Sequence, residues 1–183
     1  MAIVAAIVER EVTVVNAADG VKLAGTLSYP ESGEPRAAVI MASGSGQQNR
    51  DEEILGHRPF KVIAEFLGER GYAVLRMDDR GCGGSGGDFA KAVNVDFVGD
   101  VAAGLDYLDS CYTSIPVGVM GHSEGGTTAI KTAVGNPRCD FIVTLAAPAW
   151  PGDSIIMSQG RAIAVAMSGK WDAETVSYTH LRA

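Results

Sequence analysis

A serine enclosed by two glycines joins two segments of different periodicity, in the run Gly121-His122-Ser123-Glu124-Gly125. The apolar residues 117–120 before it predict a buried strand, and residues 126–134 after it have helical spacing. The chain must therefore turn sharply from strand to helix at Ser123, and side chains in place of Gly121 and Gly125 would collide with that turn. Such a turn holds the hydroxyl clear of the backbone, which predicts a catalytic nucleophile. An incidental serine in a glycine-rich turn is the alternative.

Strand and helix patterns alternate from residue 37 onward. Short apolar runs predict buried parallel strands at residues 37–41, 72–77, 117–120 and 141–145. Further helical segments are predicted at residues 59–70, 96–108 and 154–168, with Asp96 and Asp153 as N-caps of the last two. A hairpin of residues 12–15 and 21–29, with Gly20 in its turn, precedes them. The pattern predicts the α/β class, a mostly parallel sheet with helices on both faces and an open edge at residues 141–145.

A nucleophilic serine needs a base, and the sequence offers none in a suitable place. A hydroxyl is a weak nucleophile until its proton is removed. In folds with this turn the chain order is Ser, then Asp or Glu, then His. Only His180 follows Ser123, and it is the fourth residue from the end of the chain. His57 precedes the serine, His122 adjoins it, and N-capping accounts for Asp153, so none of the three is a good candidate base or acid.

The last eight residues, 176–183, resemble the translation of a sequencing adapter. We therefore exclude them, together with His180, from the predicted domain. The expected domain comprises residues 1–175 and stops in mid-gene near Thr175.

Two backbone N–H groups are predicted to stabilise an oxyanion beside Ser123. The first belongs to Glu124, at the positive end of the following helix. The second should come from the loop after the strand at residues 37–41, where we expect the N–H of Ser45, with Gly46 as the rival. A merely flexible turn is the alternative for this loop.

The loop at residues 78–86 contains the pattern Gly81-x-Gly83-x-x-Gly86, which would suggest a dinucleotide site if taken alone. No helix opens directly after it, and the acidic residue required at the end of a next strand is missing. We expect instead a structural ion pair of Arg80 with Asp78 or Asp79 that shapes the loop.

Composition excludes several other classes of protein. The net charge of −7 leaves no basic stripe for nucleic acid. Cys82, Cys111 and Cys139 are scattered, which suggests neither a metal site nor a disulfide framework, and no cofactor is expected. No apolar run is long enough to span a membrane. Residues 1–8 lack the basic segment and cleavage site of a signal peptide, so a cytoplasmic location is the default expectation, and export would need a segment preceding this chain.

Taken together, these features resemble the α/β-hydrolase superfamily, and more narrowly its bacterial esterases, dienelactone-hydrolase-like enzymes and serine-aminopeptidase-like hydrolases. The segments that carry the resemblance are residues 23–27, 44–51, 78–81, 121–125 and 145–148. The resemblance extends from about residue 12 to residue 169. It implies an α/β-hydrolase fold truncated before its last strands, with a cap over the site that starts near residue 151. The expected acid and histidine of the triad are missing.

The resemblance implies a serine hydrolase that cleaves a small-molecule ester, thioester or amide through an acyl-enzyme on Ser123. This chain by itself is expected to be nearly inactive, because the serine has no base. A serine peptidase, a non-catalytic binding module on the same fold and a nucleotide-binding oxidoreductase are the alternatives. The sequence defines neither the substrate nor the oligomeric state.

Overall fold

A computed structural model of the chain describes residues 6–169. The strands are β1 (Ile7–Val15), β2 (Lys22–Pro30), β3 (Ala38–Ala42), β4 (Ala73–Met77), β5 (Val117–His122) and β6 (Phe141–Leu145). The helices are α1 (Pro59–Gly68), α2 (Asn94–Cys111), α3 (Glu124–Gly135) and α4 (Gly152–Ser168), with a short 3-10 turn at Phe89–Lys91. Each strand and helix predicted from the sequence is therefore present, with shifts of a few residues at the ends.

The six strands form one sheet in the order β1-β2-β4-β3-β5-β6. The predicted hairpin is the antiparallel pair β1/β2, and Gly20 in its turn has φ +77°. β2 also pairs antiparallel with β4, whereas β3, β4, β5 and β6 run parallel. The carboxyl ends of the four parallel strands therefore meet at one edge, where crevices form in sheets of this kind.

Helices cover both faces of the sheet, as predicted. On one face, Ile40 of β3 lies in a buried cluster with Leu105 of α2 and Ala129 of α3. On the other face, Met41 packs in a second cluster with Phe60 and Ala64 of α1. Successive residues of a strand point to opposite faces, so a continuous apolar strand is buried from both sides.

The prediction that Asp96 is a helix N-cap is wrong. Helix α2 begins two residues earlier at Asn94, and Val93 occupies the N-cap position. Asp96 lies in the first turn, where its carboxylate accepts a hydrogen bond of 2.8 Å from the Val93 backbone N–H. An acidic residue three positions after the cap satisfies a free donor of the helix end as well as the cap itself does.

Helix α4 belongs to a second compact unit, which begins at Pro148. Here too the predicted N-cap is displaced, because Pro151 occupies that position and Asp153 lies in the first turn, accepting a hydrogen bond from the Ser154 N–H. Gly169 ends α4 in the left-handed conformation, with φ +72°. The residues after Gly169, which include His180 and the predicted adapter-derived tail at 176–183, lie outside the described part of the chain, as do residues 1–5.

Candidate active site

Ser123 occupies the junction between β5 and α3, in a backbone conformation that residues other than glycine rarely adopt. Its φ is +52° and its ψ is −122°. Such a conformation costs on the order of 1–3 kcal/mol and persists only when the surrounding structure holds it. The Ser123 N–H donates to the carbonyl of Leu145 in β6, and its carbonyl accepts from the Gly126 N–H, both at 2.9 Å. The residue is therefore fixed from the neighbouring strand and from the helix that follows it.

The two glycines that flank Ser123 lie where the backbone leaves no room for a side chain. A Cβ atom built at Gly121 would fall within 3.0 Å of the Gly125 carbonyl oxygen. One built at Gly125 would fall within 3.0 Å of the carbonyl oxygens of Ala42 and Ser43. The first turn of α3 thus contacts the end of β3 through backbone atoms, which brings the loop after β3 close to Ser123.

Glu52, which sequence reasoning missed, links this loop to the serine turn. Its side chain is buried, and Oε1 accepts a 2.7 Å hydrogen bond from the Gly44 N–H. The same oxygen lies 2.8 Å from Nδ1 of His122. Glu52 itself has φ +51°, a second strained position close to the serine. No local pattern in the sequence distinguishes Glu52 from its acidic neighbours Asp51 and Glu53.

The predicted oxyanion donors lie on the two segments that meet here. The Gly44 N–H is already bonded to Glu52, so it is not free for a substrate. The N–H groups of Ser45 and Gly46 follow, and Gly46 has φ +89°. Glu124 is the first residue of α3. Because the helix has no carbonyl one turn before it, the Glu124 N–H makes no hydrogen bond within the helix.

A cavity of about 170 Å³ opens beside these segments. Gly44, Gly46 and Glu124 line it together with the ends of β3 and β4 and the first turns of α2. Its apolar wall is made by Leu23, Met41, Met77, Phe89, Phe97 and Val101. Ser45 is not among the lining residues, so of the two rival donors it is Gly46 that faces this space.

Asp79 lies in the cavity wall without a cationic partner. Its carboxylate accepts a 2.7 Å hydrogen bond from the Ser43 hydroxyl and a 2.9 Å bond from the Gln48 N–H. Among residues 6–169, no lysine or arginine lies within 4.0 Å of it. Burial outweighs these two hydrogen bonds and raises the pKa of Asp79 to about 6.

Replacing Asp79 with asparagine should remove a pH dependence of folding stability. The carboxyl group titrates at about 6 in the folded chain, against an ordinary value of 3.8. Its contribution to stability is therefore fully present below about pH 4 and is lost as the pH rises through 6. The difference between these two pKa values corresponds to a change of at most about 3 kcal/mol in the free energy of unfolding. Urea unfolding of wild type and Asp79→Asn from pH 4 to pH 8 measures it, with the partly exposed Asp109→Asn as control. Identical pH profiles for wild type and Asp79→Asn would contradict the assignment.

The prediction that Arg80 forms an ion pair with Asp78 or Asp79 within the loop at residues 78–86 is wrong. Arg80 binds Asp100 of α2 through two hydrogen bonds of 2.6 and 2.7 Å, and it also contacts Asp19. Asp78 is instead paired with Arg50, 2.9 Å away. Burial opposes ionisation of Asp78, but hydrogen bonds from Arg50 and the Gly84 N–H prevail and lower its pKa. The ion pairs of the loop therefore join it to Asp19, Arg50 and Asp100 elsewhere in the chain, rather than joining two residues of the loop.

The loop also lacks the features of a dinucleotide site. Among the described residues, the segment after Gly86 continues into a short 3-10 turn, and α2 begins only at Asn94. The pattern of glycines is therefore not followed by a helix N-terminus at which a pyrophosphate could bind. Within the loop, a Cβ at Gly83 would collide with the Asp78 carboxylate, so packing accounts for this glycine.

Neither described histidine is placed as a base for Ser123. His57 lies on an exposed turn that is closed by backbone hydrogen bonds with Ile54. His122 uses Nδ1 to contact Glu52. In residues 6–169 no cluster of three or more His, Cys, Asp or Glu side chains could hold a metal ion. No helix in this range is long and apolar enough to cross a membrane.

The parallel sheet with helices on both faces and the serine at the strand–helix turn define an α/β-hydrolase fold. Residues 33–174 match the family model described as serine aminopeptidase, S33, and the chain belongs to this hydrolase family.

Several known proteins are similar to the chain. It is 28% identical to esterase EstD of Thermotoga maritima over 137 residues, which cover 75% of this chain and 33% of the esterase. It is 30% identical to a monoglyceride lipase homologue of monkeypox virus, covering 66% of this chain and 41% of that protein. An esterase structure from Pyrococcus furiosus superimposes with a TM-score of 0.66 at 25% identity, covering 95% of this chain and 61% of the esterase. The chain thus spans a third to two fifths of the length of these two curated relatives.

Proposed function

We propose that the protein is a serine hydrolase that cleaves carboxylic esters of small molecules through an acyl-enzyme on Ser123. The observation that carries this proposal is the strained conformation of Ser123, with φ +52°, held between β5 and α3 by hydrogen bonds on both sides. Natural proteins retain such strain at functional sites. The names of the relatives, two of them esterases and one a lipase homologue, favour an ester over a peptide as substrate.

In the proposed reaction, Ser123 Oγ attacks the ester carbonyl carbon while a base removes its proton. The resulting oxyanion accepts hydrogen bonds from the Glu124 N–H and from the N–H of Ser45 or Gly46. Collapse of the tetrahedral intermediate releases the alcohol, which takes up the proton, and leaves the acyl group on Ser123. Water then releases the acid by the same steps. Glu52 would position this site by holding the Gly44 N–H and the His122 ring, which both lie close to Ser123.

The base and its acidic partner are proposed to follow Thr175 in the whole protein. The basis is the position of the two described histidines, one exposed and one bonded to Glu52. The 183-residue chain should therefore hydrolyse 4-nitrophenyl butanoate at a rate close to that of the uncatalysed reaction in buffer.

Ester hydrolysis by a form that carries the residues after Thr175 tests the function. There Ser123→Ala should lower kcat by a factor on the order of 10⁴ or more, because it removes the nucleophile itself. Ser110→Ala, an exposed serine on α2, should leave kcat unchanged. Hydrolysis that survives Ser123→Ala would overturn the proposal, and absence of hydrolysis in the longer form would favour a binding module.

A further inference from the structure

The cavity beside the serine turn has a defined place in the reaction proposed above. Its lining includes Gly46 and Glu124, which are two of the proposed oxyanion donors. The rest of the lining comes mainly from the ends of β3 and β4 and from helix α2. We infer that this cavity binds the acyl part of the substrate and that it selects short, uncharged acyl groups. This inference rests on the proposed function, and it adds the class of substrate.

The order of the strands assigns the cavity to the acyl side of the ester. β5, which ends directly before Ser123, lies between β3 and β6. The cavity is on the β3 and β4 side, whereas a base from strands that follow β6 would approach from the other side. The base must protonate the leaving alcohol, so the alcohol lies toward β6. The acyl group, on the opposite side of the carbonyl carbon, then points toward β4 and into the cavity.

The wall of the cavity is suited to an apolar group. The rings of Phe89 and Phe97 meet edge to face, with their centroids 5.6 Å apart. Leu23 and Val101 contribute side chains that are almost wholly buried. Transfer of an acyl chain from water to such a surface is favourable in proportion to the apolar area that is covered.

The volume limits the size of the acyl group. The cavity holds about 170 Å³. An engineered apolar cavity of about 150 Å³ in another protein holds one benzene molecule. A phenyl group or an aliphatic chain of about six carbons therefore fills the space, and a long fatty acyl chain does not fit within it.

The charges around the cavity disfavour an anionic acyl group. Four acidic residues line it, Asp78, Asp79, Asp100 and Glu124, and none of its described lining residues is a lysine or arginine. Asp78 forms an ion pair with Arg50, and Asp100 forms one with Arg80. Within residues 6–169, Asp79 has no such partner. A carboxylate on the acyl chain would enter a field of its own sign without a cation to bind it.

Binding of benzamide to the 183-residue chain tests this inference without requiring turnover. Benzamide is uncharged and carries a phenyl group on a carbonyl. We expect saturable NMR shifts of the methyl groups of Met41 and Met77, which line the cavity, and no shift of the Gly135 amide at the far end of α3. The anionic analogue 4-carbamoylbenzoate should produce no saturable shift of either methyl group.

Matched variants locate the binding. Phe97→Trp narrows the cavity and should weaken benzamide binding at least tenfold, whereas Phe66→Trp, exposed on α1, should not change it. If Phe97→Trp does not fold, Val101→Leu reduces the same space. Unchanged affinity in the narrowed cavity, or no saturable shift in the folded wild type, would overturn the inference.

The two proposals fail in different ways. Ser123→Ala should bind benzamide as tightly as wild type, because the hydroxyl is not part of the cavity wall. If Ser123 reacts but benzamide does not bind, the assignment of the cavity to the acyl group is wrong, and the proposal of a serine hydrolase still stands. Benzamide binding without any reaction at Ser123 in the form that carries the residues after Thr175 would overturn the hydrolase, and with it the acyl assignment.

Discussion

Substitution of Gly125 by alanine should destabilise the folded chain by about 3 kcal/mol or more. The added Cβ would fall within 3.0 Å of the carbonyl oxygens of Ala42 and Ser43, which are backbone atoms at the end of a buried strand. Neither oxygen can move without separating α3 from β3. The turn at Ser123 would therefore open or the chain would fail to fold.

Gly135, at the other end of the same helix, provides the matched control. A Cβ there has no atom within 4 Å, so Gly135→Ala should be neutral or stabilise the chain by up to about 1 kcal/mol. Urea unfolding followed by circular dichroism measures both variants. A Gly125→Ala protein as stable as Gly135→Ala would show that α3 and β3 are not in backbone contact.

Replacement of Arg80 by methionine should cost about 3–5 kcal/mol of folding stability. Arg80 and Asp100 are both buried, and two hydrogen bonds of 2.6 and 2.7 Å join them. Without the guanidinium, the one side-chain hydrogen bond left to the Asp100 carboxylate from the described residues is that of 2.8 Å from Asn16. A buried charge that has lost its partner accounts for most of this cost, because water cannot replace the cation.

Two further variants separate charge from packing in this ion pair. The double variant Arg80→Met/Asp100→Leu should recover much of the lost stability, since it removes the unpaired charge as well. Arg138→Met breaks exposed pairs of 3.3 and 3.7 Å and should cost less than about 1 kcal/mol. If the double variant is no more stable than Arg80→Met, an unpaired carboxylate is not the cause of the loss.

The sequence was sufficient to predict the architecture because the relevant signals are local. Each buried strand of the parallel sheet is a short apolar run, and each helix has its own apolar period. The turn at Ser123 was also predictable, since a strand pattern, two glycines and a helix pattern lie within 20 residues of one another. These features depend on neighbours along the chain.

The contacts that organise the site are not local, and the sequence did not predict them. Glu52 meets His122 across 70 positions of sequence, and Arg80 meets Asp100 across 20. Nothing in the loop at residues 78–86 indicates which of several acidic residues will face Arg80 after folding. The N-cap errors at Asp96 and Asp153 have a related cause, because an acidic residue stabilises a helix end equally well at the cap and in the first turn.

Covalent labelling of Ser123 tests the central claim most directly. In a form that carries the residues after Thr175, the base should make Ser123 more nucleophilic than any other serine. We expect a fluorophosphonate to form one adduct with that form, which peptide mass spectrometry places on Ser123, and to label the 183-residue chain far more slowly. In the longer form the adduct should persist in Ser110→Ala and vanish in Ser123→Ala. Absence of an adduct on the folded longer form, or an adduct on another serine, would contradict the account.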